Sequence, residues 1–71
     1  MKRYLIVIEQ TKTGFSAYSP DLDGCIATGA TQEEVESRMR AAIEFHLEGL
    51  KEEGCQIPEP HTESRYVDVA V

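Results

Sequence analysis

Seventy-one residues, 41% hydrophobic and 28% charged, make one small globular domain and exclude a disordered tail, a collagen-like repeat or a disulfide-dense scaffold. Seven Lys and Arg against thirteen Asp and Glu leave a net charge of −6, which counts against nucleic acid and in favour of a basic protein surface as partner. The longest apolar run, Leu5–Ile8, is too short to cross a bilayer or serve as a signal peptide, so a cytoplasmic protein is expected.

Met1 to Gln10 predicts a strand, with Tyr4, Ile6 and Ile8 on one face and Leu5 and Val7 on the other. Thr11–Gly14 is a turn, and Phe15 to Ser19 forms the second strand of a hairpin. Pro20–Gly24 reads as a loop that stops pairing, and Cys25–Thr28 as a short third strand. Thr31 then caps a helix, with Glu34 completing a Thr-x-x-Glu capping box. Val35, Met39, Ala42, Ile43 and Leu50 recur at helical spacing, Glu34–Arg38 and Glu36–Arg40 are i,i+4 pairs, and Gly54 is placed to close the helix. Ser64 to Val71 alternates Val67, Val69 and Val71 against Tyr66, Asp68 and Ala70, which predicts a fourth strand.

The expected class is therefore α+β, β-β-β-α-β, with one helix on one face of the sheet. A right-handed crossover puts the last strand beside the first, in the order 3-2-1-4. One helix leaves the opposite face of that sheet uncovered. A chain of 7.9 kDa folded compactly exposes about 4,400 Å². Burial of its apolar surface, about 105 kcal/mol, only balances the cost of ordering the chain. A lone copy is marginal, and a homo-oligomer, dimer or tetramer, is expected.

Charge is unevenly placed. All the excess negative charge lies between Glu33 and Glu63, while the rest of the chain is neutral. Asp21 and Asp23 flank Leu22 and resemble a metal-binding carboxylate pair, but no third carboxylate accompanies them, and a solvated turn is the commoner use of such a pair. His46 falls on the apolar helix face as a packed side chain. His61, Cys25 and Cys55 do not complete a zinc spacing, so the cysteines are read as reduced and structural. No Ser-His-Asp order and no glycine-rich phosphate loop is present. No enzyme activity, metal or cofactor is expected. Phe45 points away from the apolar stripe, as a contact residue would.

Particular runs resemble the HicB-like antitoxin family. They are Gly14-Phe15-Ser16-Ala17, Pro20-Asp21-Leu22-Asp23-Gly24-Cys25, Gly29 to Glu34, Ala42 to Leu50, and Gly54 with Ile57-Pro58-Glu59-Pro60. The resemblance covers nearly the whole chain and implies a truncated ribonuclease-H-like unit without nuclease activity. It also implies a protein that binds a small basic RNA-cleaving toxin of the HicA type and blocks it. The alternative within the family is a stand-alone oligomeric binding or regulatory module without a toxin. Residues 1–71 are expected to form a single HicB-like domain. Many relatives add a C-terminal DNA-binding module; none is recognisable before Val71, and direct DNA binding is not expected. Ala30 stands where the family commonly has an acidic residue before the capping Thr. The expected partner-binding residues are Glu33, Glu34, Glu44, Phe45 and Glu48 on the helix, with Asp21 and Asp23 in the loop as the competing site.

Overall fold

The structure, a computed structural model, describes all residues from Met1 to Val71. Three strands, β1 (Val7–Gln10), β2 (Phe15–Tyr18) and β3 (Ile26–Gly29), precede a 21-residue helix, α1 (Gln32–Glu52). Both neighbouring pairs are antiparallel and the sheet order is β1-β2-β3, so β3 runs parallel to β1 as expected. The hairpin closes through Thr11 N–H donating to the Gly14 carbonyl.

Strand register sorts the side chains. Ile8, Ala17 and Ala27 lie opposite one another on the helix side, where Ala17 joins Leu22, Cys25, Val35 and Met39 in the buried core. Val7, Tyr18 and Ile26 align on the other face, and Ile26 is 71% exposed. The loop between β2 and β3 is tied down from inside. Leu22 plugs the core, and the Ser19 hydroxyl donates to the Leu5 carbonyl.

α1 begins and ends where its sequence says it should. The Thr31 hydroxyl accepts from Glu34 N–H at 3.0 Å, and the Glu34 carboxylate accepts from Ala30 N–H at 2.8 Å, one residue earlier than in a standard capping box. At the other end Gly54 takes a φ of 72°. Cys55 N–H then reaches the Leu50 carbonyl and Gly54 N–H the Lys51 carbonyl, a Schellman ending. Arg38 bridges to the Thr28 carbonyl and to Glu34, fixing α1 over β3, whereas the expected Glu36–Arg40 pair does not form. Gly29 lets helix and strand approach. A Cβ there would lie 2.8 Å from Val35 N and 3.1 Å from its Cα. Gly29→Ala should cost about 1–3 kcal/mol through the forced backbone shift. Urea unfolding checks this, and an unchanged midpoint would contradict the close approach.

The expectation that fails is the fourth strand. Ser64–Val71 has no strand and pairs with nothing, and none of the backbone–backbone hydrogen bonds involves residues 56–71. β-β-β-α-β in the order 3-2-1-4 is therefore corrected to β-β-β-α for the single chain. The physical reason is that alternation encodes a strand's two faces but not its partner, and β1 offers its outer edge without a backbone neighbour on that side. The first strand is also shorter than expected, because Met1–Ile6 runs past the end of β2.

Candidate protein-binding surface

Successive helix residues are separated by about 100°, which decides what each expected contact residue sees. Phe45 sits on the outer face and is 79% exposed. Glu48 and Glu52 follow it at i+3 and i+7, on the same side, and Glu44 lies next to it around the helix. All three carboxylates are on exposed residues, so the middle and end of α1 present one aromatic ring within an acidic rim. Glu33 is exposed too, but about 18 Å from Phe45 toward the helix start at 1.5 Å per residue. Glu34 is half-buried and occupied by Ala30 and Arg38.

The loop pair divides. Asp23 is exposed. Asp21 turns inward, its side chain only 1% accessible, and accepts from His61 N–H, Thr62 N–H and the Thr62 hydroxyl. His61 Nδ1 lies 3.3 Å from Oδ1, the oxygen that also accepts from the Thr62 hydroxyl. These contacts, the Thr62 hydroxyl foremost, hold the Asp21 carboxyl below its ordinary range against the opposing effect of burial. Asp21 thus clamps the segment after α1 against the loop. Lys2–Glu59 at 2.6 Å and the Tyr4 hydroxyl on the Pro58 carbonyl fasten the same segment to the start of the chain, and Glu59 raises the Lys2 pKa.

Of the residues expected to make contact, α1 brings Glu44, Phe45 and Glu48 together, and Glu33, Glu34 and the loop lie apart from them. No three His, Cys, Asp or Glu side chains converge as metal ligands would. Cys25 is buried, which raises its thiol pKa, and Cys55 is exposed; neither is in a disulfide. No helix is long and apolar enough to cross a membrane. Two features were not singled out from sequence. One is the row Val7–Tyr18–Ile26, whose signal was the uncovered sheet face. The other is a groove of about 770 Å³ between the residues that precede β1 and α1, where Tyr4, Ile6, Ile43, Leu47 and Ile57 share the wall with charged residues that include Glu44.

Comparison with known proteins gives these features a context. Residues 4–69 match the family described as HicB_like antitoxin of bacterial toxin-antitoxin system. A 14.9 kDa protein from the rep-hol intergenic region of Haemophilus phage HP1 (strain HP1c1) is 32% identical over 92% of this chain and 49% of its own length. A UPF0150 protein of Helicobacter pylori (strain J99) is 38% identical over 63% of this chain and 62% of its own. The chain thus spans about half to three fifths of these curated relatives. Among solved structures, a chain of the HicA3 and HicB3 toxin–antitoxin complex superposes with a TM-score of 0.71 at 37% identity, over 84% of this chain and 70% of that one. The antitoxin HicB3 crystal structure gives the same score and identity, with 44% of its chain covered.

Proposed function

From the premise that the chain belongs to the HicB-like antitoxin family, we propose that it binds a small basic RNA-cleaving toxin of the HicA type and neutralises it by protein–protein contact. The observation that carries this reading is Phe45, exposed on α1 beside Glu44 and Glu48. An aromatic anchor within a charged rim is the usual make-up of a binding hot spot. The net charge of −6 suits a partner whose own surface is built to hold RNA, because opposite potentials steer the encounter. One of the solved structures similar to this chain is a complex of HicA3 with HicB3, which supports a toxin as partner. In this reading residues 1–71 act as one HicB-like domain, without catalysis and without a cofactor.

The mutational test separates rim from anchor. With a HicA-type toxin immobilised, Glu44→Lys combined with Glu48→Lys should slow association and flatten its salt dependence. Phe45→Ala should instead speed dissociation by about 10-fold or more, equivalent to at least ~1.4 kcal/mol. The Pro20–Cys25 loop is the competing surface, and Asp23 is its exposed acid. Unchanged rates for all the helix variants, with weakened binding in Asp23→Ala, would move the interface to that loop. A second reading, an oligomeric HicB-like module working without a toxin, draws support from the apolar row Val7–Tyr18–Ile26 left open on the sheet. Failure of any HicA-type toxin to bind or to be inhibited would favour it.

A further inference from the structure

Positive charge on this acidic chain is gathered in one place. Four of its seven Lys and Arg residues, Lys2, Arg3, Arg40 and Lys51, line the groove between Met1–Ile6 and α1. Only two of its thirteen acids, Glu36 and Glu44, do so. Lys2 is paired with Glu59, which does not line the groove, whereas Arg3, Arg40 and Lys51 enter no salt bridge. Arg40 has Glu36 one turn before it and Glu44 one turn after, and pairs with neither. Between the charges the wall is mostly aliphatic: Ile43 and Leu47 of α1 share it with Ile6, Ile57 and the Tyr4 ring, all half-buried. Arg40 lies one turn before Ile43 and Lys51 one turn after Leu47, so two cations about 16 Å apart along the helix bracket an apolar pair.

We propose that this groove binds one linear alkyl carboxylate, its chain over Ile43 and Leu47 and its head on Arg40 or Lys51. Each part of that ligand answers a feature of the site. The sign of the unpaired charge selects an anion, since charge-assisted hydrogen bonds from a guanidinium or ammonium are strong ones. With Lys2 occupied by Glu59, three free cations face two acids, an excess of one that matches a monoanionic head. The aliphatic wall selects an alkyl body, and the spacing of cation, apolar pair and cation along α1 selects a linear one. A volume of about 770 Å³ falls within the range of small-ligand clefts. Phe45 is two residues from Leu47 and so about 160° around the helix. The groove and the surface around Phe45 therefore lie on opposite sides of α1 and share only Glu44.

Calorimetric titration of the full chain with dodecanoate, below its micelle concentration, should show saturable binding of one molecule per chain. Decanoate, two methylenes shorter, should bind about 10-fold more weakly, since each buried methylene is worth about 4-fold. Dodecyltrimethylammonium, with the same chain and the opposite charge, should bind more weakly than dodecanoate. Amide shifts should move at Ile6, Ile43 and Leu47 and stay in place at Tyr18 and Ile26. Arg40→Gln combined with Lys51→Gln, both at exposed positions outside the core, should weaken dodecanoate by about 5-fold or more. The same change should not weaken the ammonium compound. Absence of saturable binding, equal affinity for the two chain lengths, or tighter binding of the ammonium compound would overturn the proposal. So would shifts centred on Tyr18 and Ile26, or a double variant that binds dodecanoate unchanged. An Asp-flanked Leu-Ile-Leu peptide that shifts Ile43 and Leu47 where dodecanoate does not would overturn it too, and give the groove to an acidic protein partner. None of these readouts involves a toxin, so their failure leaves the reading of Phe45 standing.

Discussion

Met39→Ala lowers the stability of the fold by about 2–5 kcal/mol, as expected for truncating a fully buried side chain and leaving a cavity. Met39 is 0% exposed and packs with Val35, Ala17, Leu22 and Cys25, where α1 meets the sheet. A domain of this size holds roughly 4–10 kcal/mol in all, so anywhere from about a fifth of its stability to the whole of it is at stake. Phe45→Ala, on the same helix but facing solvent, should stay within about 0.5 kcal/mol of the unaltered chain. Urea unfolding followed by circular dichroism, at one fixed chain concentration, compares the two. A loss below about 1 kcal/mol for Met39→Ala would mean that the core is not centred there.

The second large effect is release of the segment after α1 when Asp21 is altered. In Asp21→Ala three hydrogen bonds to His61 and Thr62 disappear. Exchange of the His61 and Thr62 amides should then quicken by about 10-fold or more, since bonds to a charged acceptor are among the stronger ones. The same clamp responds to pH with a definite sign. Its carboxyl pKa is lowered by folding, so its stabilisation is present above the ordinary value of 3.8 and is lost as pH falls through the lowered folded value. Amide shifts of His61 and Thr62 should follow that acid titration in the unaltered chain and show no such step in Asp21→Asn. Identical acid titrations in the two chains would show that Asp21 does not hold the segment.

Legibility in the sequence follows how far a signal reaches. α1 was readable from Thr31 to Gly54 because caps and apolar period are both local, and Phe45 could be placed on the outer face from its phase alone. The strands were readable from alternation and from the turns between them. The inward turn of Asp21 was not, because a carboxylate in a Pro-Asp-Leu-Asp-Gly loop looks solvated. Its donors, His61 and Thr62, lie forty and forty-one residues further on. The fourth strand failed for a related reason. Val67, Val69 and Val71 specify a half-buried strand, but nothing near them in the sequence says which edge, or which molecule, supplies the ladder.

The fastening of the chain's start to the segment beyond α1 also orders the events of folding. Lys2–Glu59 and Tyr4–Pro58 join residues 57 and 54 positions apart, whereas the caps of α1 and the turn of the first hairpin close over a handful. Long closures carry the larger entropic cost before any contact rewards them, so these two form after the hairpin and helix have assembled. They are therefore expected on the downhill side of the folding barrier. Loosening them should hasten unfolding and leave the refolding rate nearly untouched, so that the lifetime of the folded chain, rather than the speed with which it is made, is set where its start meets the segment after α1.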